Sequence, residues 1–252
     1  MNIYNQLLEV IQIKGAAFLV LLDPDNLPEE KLSLFTGHCE KSGVDGFLIG
    51  GSLLLNGNLE NFLIRLKTMT SLPIIIFPGD VNQISSKADA ILYLSVVSGR
   101  NPEHLIGKHV LAAPIIRKCG IEPIATGYLL IESGRTTTAQ YMSGSMPIPR
   151  NKPGIAAATA LAAEYLGMKL IYLEAGSGAD NPIPNEMVKA VSTLCSVPVV
   201  VGGGINTPGT AREKVQNGAK IIVTGNFFED EAKWDLIKDF ADAVHFNLPF
   251  FV

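Results

Sequence analysis

Short apolar runs recur along this chain, and most are followed by a stretch with the 3.6-residue period of a helix. The alternation predicts repeated βα units. The predicted strands are 17–25 (AFLVLLDPD), 45–52 (DGFLIGGS), 72–80 (LPIIIFPGD), 88–98 (ADAILYLSVVS), 122–134 (EPIATGYLLIESG), 169–178 (KLIYLEAGSG), 197–206 (VPVVVGGGIN) and 219–228 (AKIIVTGNFF). Their near-continuous hydrophobicity suits parallel strands buried on both faces. Eight such units predict a (β/α)8 TIM barrel, and no composition break divides it, so residues 1–252 read as one domain.

Three segments depart from a regular repeat. MNIYNQLLEVIQIKG precedes the first strand and reads as an amphipathic helix. VNQISSKADA, after the third strand, is too short and polar for a full barrel helix. Residues 135–153 are rich in Gly, Ser, Thr and Pro and read as one long loop, a length that in compact domains usually serves a lid or a binding function.

Composition narrows the function classes. The chain is 47% hydrophobic and 17% charged, which fits a core-rich folded protein. A formal net charge of −4 gives no basic face for nucleic acid. Cys39, Cys119 and Cys195 lie far apart with no CxxC, which reads as reduced thiols in a cytoplasmic protein. No apolar run reaches the roughly 18 residues of a membrane span. His104 and His109, five apart, fall off a common α-helical face and read as poor metal ligands.

Barrel chemistry gathers at the C-terminal ends of the strands. Those ends carry Asp23 and Asp25, Gly50 to Ser52, Tyr172 to Gly178, Gly202 to Gly204, and Gly225 with Asn226. GGGI and TGN stand about 20 residues apart at the ends of strands 7 and 8, the usual phosphate cradle of such barrels. A bulky side chain at Gly203 should then weaken phosphate binding and leave the fold intact. The strand ends hold no lysine, which disfavours a Schiff-base aldolase. Asp23 reads either as an Asx-turn residue or as a functional carboxylate. Ser52 taken alone reads better as a helix cap. Glu174 ends the buried-type run IYLE, where a carboxylate is costly without partners or a task. Tyr172 shares its side of the strand and reads as core or as a phenol donor beside Glu174.

The segments LLDPDN, FLIGGS, MPIPRNKPGIAAATALAAEYLG, YLEAGSG, VVVGGGI and VTGNFFED together resemble the geranylgeranylglyceryl phosphate synthases, and within them the group II branch. The resemblance spans nearly the whole chain, in order. It implies a prenyltransferase that joins sn-glycerol 1-phosphate to geranylgeranyl diphosphate through an ether, with Mg²⁺, on a barrel whose helix 3 is reduced. It implies Asp23 and Ser52 at the metal. It implies Tyr172, Leu173, Glu174, Ala175, Gly176, Ser177 and Gly178 as one wall of the glycerol phosphate site, and Gly203, Gly204, Gly225 and Asn226 as the phosphate cradle.

Glu174 is expected to be the general base and Tyr172 its companion in catalysis. An apolar channel is expected beneath the helix 3 gap, lined by Phe77, Leu92 and Leu94, with Tyr93 facing the other side. Barrel enzymes often self-associate, so a homo-oligomer is expected. Two other classes remain open: another phosphate-binding barrel enzyme, an isomerase or flavin enzyme, and a non-catalytic phospholigand-binding protein.

Overall fold

The computed structural model describes residues 2–55 and 58–245. Strands β1 (Ala17–Leu22), β2 (Gly46–Ile49), β3 (Ile74–Ile76), β4 (Ala90–Val96), β5 (Glu122–Leu130), β6 (Leu170–Glu174), β7 (Val199–Gly202) and β8 (Ile221–Thr224) pair in parallel and in chain order. β8 returns to β1, with Ala17 opposite Ile221, so the sheet closes and keeps no edge. Helices α1 (Ile3–Lys14), α2 (Glu29–Ser42), α3 (Leu59–Met69), α4 (Lys108–Cys119), α5 (Thr138–Ser143), α6 (Pro153–Tyr165), α7 (Asn185–Leu194), α8 (Pro208–Gln216) and α9 (Ile237–Val244) complete the architecture.

Successive strand residues divide between two cores because side chains alternate across a strand. Leu19, Leu48, Ile75, Leu92, Tyr172, Val200 and Val223 fill the barrel. Phe18, Phe47, Ile74, Ile91, Leu173, Val201 and Ile222 face the helices. This double burial is why the strands are apolar throughout. Ile3 and Leu7 of α1 join the inner core and close the floor of the barrel.

One buried carboxylate ties the chain ends to that floor. Asp45 accepts from Lys14 Nζ (2.5 Å), the Phe18 N–H (2.8 Å) and His245 Nε2 (2.7 Å, as donor tautomer). Burial pushes its pKa up, and the bonds from His245, Lys14 and Phe18 outweigh that and leave it lowered.

The barrel helix due after the third strand is reduced as expected: a single 3₁₀ turn, Val81–Gln83, connects β3 and β4. Asp80 caps that turn and pairs with Lys108 Nζ at 2.8 Å, spanning the space a full helix would occupy. The cap of α3 is Asn58, so Ser52 lies outside that helix and does not cap it. The reading of 135–153 as a loop is corrected. It holds α5, capped by the Thr137 hydroxyl, and Ile148 bridges to Ile131. Six residues are too few to show a helical period.

α4 is preceded by a π turn, Glu103–Gly107, in which the Lys108 N–H reaches the Glu103 carbonyl. The wider turn brings residues five apart toward one side. His104 and His109 therefore both border the same cavity, contrary to the α-helical reading of their spacing.

Candidate active site

A cavity of about 470 Å³ opens at the C-terminal ends of the strands and extends into the gap left by helix 3. Its polar end collects residues distant in sequence: Asp23, Gly51, Ser52, Tyr172, Glu174, Gly176, Ser177, Gly203, Gly204, Gly225 and Asn226 all border it. Leu173 and Ala175 do not. Their side chains belong to the outer core, because they alternate with Tyr172 and Glu174. Gly178 sits behind the wall, and a Cβ there would lie 2.5 Å from the Arg135 guanidinium.

Glu174 is buried, and its Oε1 accepts the Gly176 N–H at 2.6 Å. The phenols of Tyr172 and Tyr128 also hydrogen-bond to it. Burial raises its pKa to about 7, against the lowering effect of these three donors. The carboxylate is thus poised to exchange a proton near neutral pH. Both phenols titrate well above their ordinary range, chiefly through burial and also through the charge of Glu174, so they remain donors.

Tyr128 escaped the sequence reading. It stands opposite Tyr172 in the β5–β6 register, six residues before Gly134 and within a long strand. Only the strand pairing puts it beside Glu174. Phe77 stacks on Tyr172 with ring centroids 5.3 Å apart, extending the aromatic wall toward the gap.

The glycine motif is required by close approach. A Cβ on Gly202 would lie 2.4 Å from the Tyr172 hydroxyl. Gly203 has φ +81, and a Cβ there would lie 2.6 Å from Glu174 Oε1 and from the Gly176 nitrogen. A valine at Gly203 would therefore disturb the carboxylate as well as the cradle, which corrects the expectation of a selective effect. Among the described residues, the N–H groups of Gly203, Gly204, Gly225 and Asn226 donate no backbone hydrogen bond. Beside them Thr224 Oγ1 is buried with no partner while its residue borders the cavity. Such a set of donors fits an anion.

Asp23 forms the Asx turn and also borders the cavity. Its Oδ1 accepts the Asp25 N–H at 3.0 Å, which is an Asx turn. Its Oδ2 faces Gly51, where a Cβ would lie 2.7 Å away. Burial, and secondarily the charge of Asp25, raise the Asp23 pKa. Glu229 is raised by its own burial, and in smaller part by Asp23. An excess of negative charge at the cavity rim suits a hard cation. No group of three or more His, Cys, Asp or Glu among the described residues is arranged to hold a metal. Asp23 and Ser52 offer one carboxylate and one hydroxyl at the cavity, a set that a hard cation would have to complete with substrate oxygens.

The apolar end of the cavity reaches both faces of β4. Phe77, Leu92 and Leu94 border it from the barrel side. Tyr93 faces the outer side as expected, but that side is where the missing helix leaves space, so Tyr93 and Ile91 border it too. His109, Ala112 and Ile116 of α4 form the opposite wall. His109 Nε2 lies 3.0 Å from Ser95 Oγ, and Tyr93 donates to the His109 carbonyl at 2.8 Å. Lys108 of α4 borders the cavity as well, its Nζ held by Asp80.

The model of the PcrB family matches residues 9–244. The geranylgeranylglyceryl phosphate synthase of Chitinophaga pinensis is 45% identical over 249 residues, covering 98% of each chain. That of Pyrococcus horikoshii is 45% identical over 217 residues, covering 86% of this chain and 85% of the relative. The crystal structure of (S)-3-O-geranylgeranylglyceryl phosphate synthase from Thermoplasma acidophilum, in complex with substrate sn-glycerol-1-phosphate, superposes with a TM-score of 0.91 at 32% identity, covering 97% of this chain and 99% of that one. Thiamine phosphate pyrophosphorylase from Pyrococcus furiosus, at 14% identity and a TM-score of 0.61, shares the fold alone.

Proposed function

This chain belongs to the PcrB family, and from that premise we propose that it is a prenyltransferase, joining geranylgeranyl diphosphate to the C3 hydroxyl of sn-glycerol 1-phosphate. The observation that carries the reading is the position of Glu174. A buried carboxylate with a pKa of about 7 stands between a glycine cradle and an apolar cavity.

Backbone donors at Gly203, Gly204, Gly225 and Asn226 bind the acceptor's phosphate. Glu174 Oε2 takes the proton of the acceptor hydroxyl as its oxygen bonds to the allylic carbon and the bond from that carbon to diphosphate breaks. The phenols of Tyr172 and Tyr128 hold the carboxylate in place and favour its ionised form. Asp23 and Ser52 would hold Mg²⁺ at the diphosphate end. Bound there, the cation neutralises charge on the leaving group. The apolar wall from Phe77 to Ile116 houses the prenyl tail and excludes water from it.

The three cysteines are free thiols, which supports the cytoplasmic setting in this reading. No described helix is long and apolar enough to cross a membrane.

The test is incubation of the protein with Mg²⁺, sn-glycerol 1-phosphate and labelled geranylgeranyl diphosphate. Label should enter an organic-soluble phosphate ether only when all three are present. Absence of that product from folded protein would overturn the assignment.

A further inference from the structure

The phosphate cradle is built from neutral donors, the N–H groups of Gly203, Gly204, Gly225 and Asn226. The basic residues that border the cavity, His104, Lys108 and His109, all stand on α4 or the turn before it. The polar end instead holds the carboxylates of Asp23, Glu174 and Glu229. A phosphate monoester is largely dianionic near neutral pH. Charged donors bind such an oxygen roughly twice as strongly as neutral ones. The cradle therefore lacks the group that would serve its ligand best.

A guanidinium stands just behind it. Arg135 Nη2 lies 2.5 Å from the position a Gly178 Cβ would take, and Asn226 Nδ2 lies 3.9 Å from that same position. Gly178, at φ +67, brings no side chain into the space the two share. Arg135 is fixed at its base. The Ser133 carbonyl accepts from the Asn181 N–H at 3.1 Å and from Asn181 Nδ2 at 3.3 Å. Thr137 is buried against Gly176, where a Cβ would lie 2.3 Å from Thr137 Cγ2. Residues 133–137 are thereby pinned to the loop after β6. The head of the side chain is free by comparison. Its partner among the described residues is Asp180 Oδ1 at 3.7 Å, and both side chains are about half exposed. That separation is longer than a hydrogen bond, and so exposed an ion pair contributes little. The five N–H donors of the guanidinium close no hydrogen bond among the described residues.

We propose that Arg135 is a phosphate-binding residue, which exchanges Asp180 for the phosphate of the acceptor and closes on the cradle from the side of Gly178. The inference rests on the proposed function and adds to it the cation that the cradle lacks. A planar fork of donors suits a phosphate better than it suits one distant carboxylate oxygen. The exchange makes Asp180 a competitor of the substrate for the same guanidinium. An arginine kept only to pin the loop would depend on Asp180 instead. The two roles thus predict opposite effects when Asp180 is neutralised.

The test is calorimetric titration of the full chain with sn-glycerol 1-phosphate, without Mg²⁺ or prenyl donor. Arg135→Ala should weaken binding about 10-fold, the scale of one hydrogen bond to a charged group. Arg135→Lys should recover part of that loss, because it keeps the charge and gives up the fork. Asp180→Asn should tighten binding about 3-fold, the scale of a released exposed ion pair. That gain should vanish in Arg135→Ala/Asp180→Asn, since Asp180 acts through the arginine. Melting curves of the ligand-free variants should match wild type. In steady state, Arg135→Ala should raise KM for glycerol phosphate at similar kcat and leave KM for the prenyl diphosphate unchanged. An Asp180→Asn loss as large as that of Arg135→Ala would show a pair that only pins the loop, and would overturn the proposal. An equal gain from Asp180→Asn with and without the arginine would refute the exchange, and a rise in KM for the diphosphate alone would refute the assignment to the acceptor. Wild-type affinity in Arg135→Ala would sink this inference and leave the enzymatic reading standing. Wild type that binds no glycerol phosphate would remove the cradle itself, and this inference with it.

Discussion

Tyr128 on β5 lies directly opposite Tyr172 on β6, ring centroids 5.4 Å apart, and the two phenols converge on the carboxylate of Glu174. A buried carboxylate without such donors would hold its proton more tightly. Tyr128→Phe removes one donor and keeps the ring. The acid limb of the pH dependence of kcat/KM should move to higher pH, with kcat near its wild-type value once the pH is high enough. An unmoved limb would show that Tyr128 serves packing alone.

Glu174→Gln should lower kcat by roughly 10²-fold or more, the scale of a lost general base, with a smaller effect on glycerol phosphate binding. The same change makes a stability prediction of known sign. The folded pKa of about 7 lies above the ordinary 4.5, so the folded state binds more protons between those values, and stability falls as pH rises through that window. Above pH 7 the glutamine variant should melt higher than wild type, by roughly 2–4 °C for each kcal/mol recovered. Thermal melts at pH 5 and pH 8 check this, since the gain should shrink at the lower pH.

Asp23→Asn should raise the Mg²⁺ concentration needed for half-maximal rate and weaken use of the prenyl diphosphate more than binding of glycerol phosphate. Ser52→Ala should do the same to a smaller degree, because a neutral hydroxyl is a weaker ligand than a carboxylate. Metal titrations that superpose on wild type for both variants would remove these residues from the metal site.

Donor length reads the apolar end of the cavity. Burying a C20 tail removes several hundred Å² of apolar surface from water, at roughly 25 cal/mol per Å². A C10 donor should therefore show a strongly raised KM at comparable kcat. Equal KM for the two donors would mean that the tail lies outside the cavity between β4 and α4.

Asp45→Asn tests the clamp under the barrel. Weakening the acceptor of the buried Phe18 N–H costs about 1–3 kcal/mol, Lys14 being exposed enough for water to replace its partner, read as a lower urea midpoint with unchanged slope. The folded pKa of Asp45 lies below the ordinary 3.8, so its contribution is complete above that value and is lost as pH falls through the folded pKa. The difference between wild type and Asp45→Asn should accordingly close in strongly acidic solution.

Most of the barrel was legible in the chain because its determinants are local. Eight doubly buried strands must be apolar at every position, and runs such as AFLVLL and IYLE say so without reference to partners. Asp23, Glu174, Gly203 and Gly225 were equally visible, since position at a strand end is itself a statement about the active face. Tyr128 was not, because nothing in its own segment records that the neighbouring strand would bring Tyr172 alongside. The π turn before α4 hid the shared cavity of His104 and His109, for the periodicity of one turn cannot be read from five residues. The phase of Tyr93 followed from alternation, yet which face held the empty space depended on a helix that is absent. Sequence by itself determined which residues prefer burial and where the chain reverses. Tertiary structure alone decided which strands became neighbours, which buried groups hydrogen-bond to one another, and which side of a helix was left facing water, because these depend on contacts between segments as far apart as Asp45 and His245.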